Sequence, residues 1–131
     1  MPRKNPLLTA ALIVFGLAFC LIYPLSIVWP SGWAWHDGPP ASNDYFMMIV
    51  GVYFTLGVFT ILAAKDPAAN VSLIRFVIWS SVVHAAVMAW EALRDPMMKG
   101  HLYGDVPALL LIALVLGLTS RGPALQARAM A

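Results

Sequence analysis

Charge is what this sequence has least of. Only 11% of its 131 residues are Asp, Glu, Lys or Arg, against roughly 25% in ordinary soluble proteins. With 61% hydrophobic residues and a mean hydropathy of +0.80, a soluble domain of this length has too little interior to hide its apolar side chains. The few Lys and Arg residues are scattered, with a formal net charge of +2. They form no basic track for a run of phosphates, so nucleic acid is not an expected partner. Cysteine is almost absent: Cys20 alone leaves no intramolecular disulfide and no CxxC metal or redox pair. Also missing are the GxSxG, P-loop, dinucleotide and HExxH signatures, and any carboxylate pair suited to hydrolysis. Little chain is left for a catalytic domain outside lipid, so any chemistry belongs within or beside the bilayer.

What the sequence does have is a series of long apolar runs, predicting spans at approximately 7–29, 45–64, 71–93 and 104–120. The first, Leu7 to Trp29, is roughly 23 residues, and at ~1.5 Å per residue it exceeds a hydrocarbon core of ~30 Å. Pro24 is expected to kink it, because proline has no N–H for the carbonyl of Cys20. Arg3 and Lys4 ahead of an apolar run also fit a signal peptide. This run is longer than such a segment, and no Ala-x-Ala site follows, so retention as a membrane helix is expected.

Turn-forming residues fill Pro30 to Asn43, and Trp29, Trp33 and Trp35 read as an interfacial belt. Asp44 is the expected N-cap of the second run, which Lys65-Asp66-Pro67 ends. The third run follows so closely that it must be antiparallel to the second, and Arg94-Asp95-Pro96 stops it. The fourth is the weakest, about 14 residues if Asp105 caps it, although a start nearer His101 would lengthen it. Residues 121–131 are expected to be a mobile tail. The reading is a single all-α domain over 1–131, an integral membrane four-helix bundle with antiparallel neighbours.

An even number of spans puts Arg3, Lys4, Lys65, Arg75, Arg121 and Arg128 on one side and only Arg94 and Lys99 on the other. That bias predicts both termini in the cytoplasm, the N-in/C-in arrangement.

The third run carries the most informative pair, His84 and Glu91. Seven residues at about 100° each bring the two side chains within roughly 20° of each other on a helix. Ser80 and Ser81 fall on the same arc, while Trp79 and Trp90 fall well away from it. Ionisable groups at bilayer depth cost at least ~2–3 kcal/mol, so they usually face a bundle interior and mark a site. Tyr53, Gly57 and Thr60 share one face of the second run, and Tyr53 is the candidate hydroxyl partner for His84. The same polar arc is equally explained by hydrogen bonds that only hold helices together. A second constellation lies in the loops expected outside the cytoplasm: His36 and Asp37, then Met97, Met98, His101 and Asp105. Imidazoles with thioethers suit a soft metal such as copper(I), although methionines at a membrane interface are more often filler. No cofactor can be named from these residues.

The segments AAKDP (63–67), WSSVVHAAVMAWEAL (79–93) and GHLYGDVPALLL (100–111) resemble a family of small bacterial membrane proteins classed as a domain of unknown function. The resemblance covers Tyr53 to Leu116, about half the chain. It implies a four-helix architecture in a bacterial inner membrane and brings no activity or catalytic residue with it. Two functions are therefore expected in competition. One is an accessory or structural subunit, expected to be non-enzymatic, that packs on other membrane proteins or on itself in the lipid bilayer. The other is binding of a small ligand, proton or metal by His84, Glu91 and Tyr53.

Overall fold

The structure, a computed structural model, describes residues 5–122 and 130. Arg3, Lys4, Arg128 and most of the tail lie outside the described residues. The described chain is helical, with no strand.

Helix α1 covers Pro6–Cys20. Asn5 starts it by accepting from the backbone N–H groups of Leu7 and Leu8, and Pro6 loses nothing at a position whose N–H has no helical partner. The first apolar run is not one helix. It breaks at Leu21 and resumes as α2, Ile22–Val28, bent by 64°. Pro24 explains the position, because a proline disrupts the turn before it by removing the donor for the residue four back. The expected kink is thus a full break.

Helix α3 spans Asp44–Ala63. Its cap is Asn43, whose side chain accepts from Phe46 N at 2.9 Å, and Asp44 is the first helical residue rather than the cap. Helix α4 spans Val71–Arg94. A 3-10 segment, Pro96–Leu102, follows, and α5 spans Asp105–Thr119. Gly104 holds the cap position of α5, so the expected cap at Asp105 is also displaced by one residue.

Among the described residues three helical stretches are long and apolar enough to cross a membrane, Asp44–Ala63, Val71–Arg94 and Pro96–Thr119. The bent pair α1 and α2 makes a fourth if it counts as one span.

Helix α1 packs on α3, α4 on α5, and α1 also meets α5, whereas α3 and α4 touch little although they are consecutive. The α1–α3 seam is set by glycine. A Cβ on Gly57 would come within 2.5 Å of the Gly16 carbonyl oxygen, and one on Gly16 within 2.6 Å of Ile61 Cγ1. Backbones approach this closely only where side chains are missing, a common device between helices in lipid. Leu8, Leu12, Ile74, Val77 and Leu116 fill the centre, and Thr60 is buried with its hydroxyl donating to the Leu56 carbonyl at 2.7 Å. Outward faces are apolar too: Trp79 is 68% exposed and Trp90 59%. That is the pattern of helices whose surroundings are hydrocarbon.

At one end Asn5 Nδ2 donates to the Thr119 carbonyl at 2.9 Å, tying the start of α1 to the end of α5. At the other, hereafter the cap end, the 3-10 segment Pro30–Trp33 lies on Pro96–Leu102. Here Gly104 meets the backbone of Gly32, far closer than a Cβ at position 104 would allow.

Candidate functional site

Beyond the glycine seam, where α2 leaves the line of α1, the packing opens into a cavity of about 310 Å³. Phe19, Ile22 and Leu25 come from α1 and α2, Phe46 and Ile49 from α3, Met88 from α4, and Leu109 and Ile112 from α5. This apolar wall is interrupted by the polar side chains of Tyr53, His84, His101 and Asp105, with His36 and Asp37 at its rim. Its volume lies at the lower end of the ~300–1,000 Å³ of ligand pockets, and mostly apolar walls with a few fixed polar groups are typical of them.

Tyr53 on α3 and His84 on α4 are hydrogen-bonded, hydroxyl to Nδ1, across the seam where those helices otherwise barely meet. Phe19 holds the phenol from the far side, with ring centroids 5.3 Å apart and planes at 58°. One turn of chain brings the second pair together: His101 Nδ1 lies 2.8 Å from both carboxylate oxygens of Asp105. These side chains are only 12% and 7% exposed. A carboxylate so placed fixes the orientation of the ring. The first turn of α5 also suits it, since the helix N-terminus favours negative charge.

Both imidazoles therefore commit Nδ1 and leave Nε2 without a partner among the described residues. Each ring can then offer a ligand one nitrogen, as donor or acceptor according to tautomer. At the rim, His36 Nδ1 engages the Ala34 carbonyl at 2.7 Å, and its Nε2 lies 3.6 Å from Asp37 Oδ1. Trp35 Nε1 donates to the Gly38 carbonyl at 2.5 Å, and its ring packs against Phe46 with centroids 4.7 Å apart and planes tilted by 45°. Among the described residues no Lys or Arg lines the cavity.

The structure brings together some of the residues the sequence singled out and separates others. Tyr53 and His84 meet as expected. Ser81 is buried within α4 and Ser80 returns its hydroxyl to the Val77 carbonyl at 3.3 Å, so neither lines the cavity. Glu91 is exposed and outside it. The reason is axial: at ~1.5 Å per residue, Glu91 sits about 10 Å further along α4 than His84 despite sharing its azimuth.

Of the residues considered for a metal, His36, His101, Met98 and Asp105 do line the cavity, whereas Met97 is 62% exposed and does not. Among the described residues no three His, Cys, Asp or Glu side chains converge as metal ligands. Asp105 is already taken by His101, and His36 by Ala34 and Asp37. The His101–Asp105 pair itself was legible only as spacing, a His four residues before an Asp, and it reads as loop and cap until the 3-10 segment is seen to run into α5.

No curated protein and no solved structure matches this chain. The family of unknown function DUF6632 matches residues 2–130. A match over nearly the full length leaves no part of the helical array or its cavity outside it: the chain belongs to the DUF6632 family.

Proposed function

We propose that this chain is a multi-pass protein of a bacterial inner membrane, a four-helix bundle with both termini in the cytoplasm, and that it binds a small, mainly apolar molecule in its cavity. The observation that carries the reading is the joint placement of two hydrogen-bonded imidazoles, His84 and His101, in one 310 Å³ apolar chamber. Polar groups within membrane helices are costly enough that a merely structural bundle has little reason to gather two such pairs around one apolar cavity. His101 and Asp105 take the place that Glu91 was expected to hold.

The test is native mass spectrometry of protein purified in mild detergent from its own membrane, comparing wild type with Ile112→Phe, which fills the cavity. A co-purifying small molecule that the variant loses supports the reading. Equal retention by both, or no bound molecule in either, sinks it.

Orientation is supported by Lys65, Arg75 and Arg121 lying towards the end opposite the cap, against Arg94 and Lys99 at the cap end. Cysteines placed at the exposed Ala41 and Ala69 in a Cys20→Ala background test it in intact cells. An impermeant maleimide should label Ala41→Cys at once and Ala69→Cys only after permeabilisation. The reverse pattern overturns the assignment.

A second reading, an accessory subunit of a larger membrane assembly or homo-oligomer, draws on one observation: α4 turns Trp79 and Trp90 outward, away from the cavity. Particle mass in mild detergent should then fall for Trp79→Ala and Trp90→Ala. Unchanged association of both variants would count heavily against it.

A further inference from the structure

We infer that the occupant is a neutral single-chain amphiphile whose hydroxyl- or carbonyl-bearing head is hydrogen-bonded inside the cavity and whose apolar tail leaves between Leu25 and Ile49 into the bilayer. The inference rests on the binding reading above and adds the ligand class and its route.

The route follows from which walls are closed. The α1–α3 seam is shut at Gly16 and Gly57, where a Cβ has no room. At the cap end, Gly104 lies against the Gly32 backbone, and the exposed His36 and Asp37 make a polar rim unsuited to an apolar tail. Between α3 and α4 the Tyr53–His84 bond bridges the gap. Beyond Leu21, however, the 64° bend takes α2 off the line of α1 just where the glycine seam ends. Leu25 on α2 and Ile49 on α3 both line the cavity and are still 41% and 47% exposed. A mouth edged by aliphatic side chains is poorly suited to admit a water-soluble molecule. It offers no such barrier to a chain already dissolved in hydrocarbon.

The head chemistry follows from charge. With no Lys or Arg in the lining among the described residues, a phosphate or carboxylate head would enter without a counter-charge. Of the two carboxylates in the lining, Asp105 is occupied by His101 and Asp37 stands at the rim 3.6 Å from His36 Nε2, so a cationic head would have to compete for either. Burying an unpaired charge is strongly disfavoured, whereas a hydroxyl or carbonyl can meet the unengaged ring nitrogens of His84 and His101. Volume sets the division of the molecule. At about 310 Å³ the cavity stands at the small end of ligand pockets, which suits a compact head and its first carbons better than a lipid-length chain.

The full chain, reconstituted in vesicles of phosphatidylcholine and phosphatidylglycerol, is exposed to three photoreactive probes: hexadecanol, hexadecyl phosphate and butanol. Labelled peptides are quantified by mass spectrometry, with excess plain hexadecanol as competitor. Hexadecanol should label peptides bearing the mouth and cavity residues and be displaced by competitor. The phosphate should label them about tenfold less. Narrowing the mouth by Leu25→Trp with Ile49→Trp should lower hexadecanol labelling about tenfold and spare butanol. Ile112→Phe should abolish labelling by both alcohols.

Equal labelling by the phosphate overturns the neutral head, and mouth substitutions without effect overturn the route; in either case butanol labelling that Ile112→Phe abolishes still upholds the cavity itself. Butanol labelling untouched by Ile112→Phe and by the milder obstruction Ala18→Leu removes the binding reading, and this inference with it. A mouth variant that loses its helical circular dichroism is replaced by Leu25→Phe with Ile49→Phe, for which the same outcomes decide.

Discussion

The Tyr53 hydroxyl and His84 Nδ1 share a hydrogen bond that joins α3 to α4, two helices consecutive in sequence but with little other contact. The bond is therefore both part of the cavity wall and the main polar tie across that seam. Tyr53→Phe deletes the hydroxyl and leaves the ring nitrogen unpartnered. Hydrogen bonds between membrane helices contribute on the order of 0.6–2 kcal/mol, so a loss of that size is expected. Thermal unfolding in detergent measures it, and a double-mutant cycle with His84→Ala isolates the pair. A coupling of zero would remove the bond from any structural role.

His101 and Asp105 should behave asymmetrically. Asp105 is 6% exposed, and removing His101 strands its carboxylate. Breaking a buried pair from one side costs about 3–5 kcal/mol, so His101→Ala is expected to be severely destabilising. Asp105→Asn keeps an acceptor for the ring and should cost distinctly less. Both are checked by the same unfolding assay. Equal losses would indicate that the two side chains do not act as a pair.

Glu91→Gln is expected to change stability by less than about 0.5 kcal/mol, as exposed substitutions away from special features do. It should also leave any bound molecule in place. A loss of co-purifying ligand in this variant would return Glu91 to the site from which its exposure excludes it.

The glycines divide by surroundings. Gly104→Ala forces a methyl into the Gly32 backbone and should destabilise by about 1–3 kcal/mol. Gly117, in α5, has nothing within 4 Å of the position a Cβ would take. Alanine there should stabilise by about 0.5–1 kcal/mol, the ordinary gain over glycine inside a helix. Melting temperatures that shift in the same direction would contradict the close packing of the cap.

Much of this could be read from the chain alone, and the reasons are specific. Apolar runs of membrane length announce their helices, and Pro24 announces a break. Angular spacing was enough to set His84 and Tyr53 towards a common interior. It failed for Glu91 because azimuth says nothing of how far along the axis neighbouring helices extend. Cap residues were misplaced by one because Asn43 and Asp44 offer the same acceptor chemistry, and only the bond to Phe46 N distinguishes them. Composition likewise shows which possible ligands gather at one end, not that His36 and Asp105 already have partners. The cavity itself had no local signature. It arises from the direction α2 takes after Leu21, and its walls come from every α-helix and from the cap end.

Frame and lining are different residues in this molecule. Backbone-to-backbone contacts at Gly16, Gly57, Gly32 and Gly104 fix how the pieces sit. Ala18, Met88 and Ile112 shape the chamber without holding the frame. Drift at the second set can therefore change what is held without rebuilding what holds it. Members of the family that differ there while keeping the four glycines would be one scaffold presenting different interiors, and their ligands would diverge faster than their architecture.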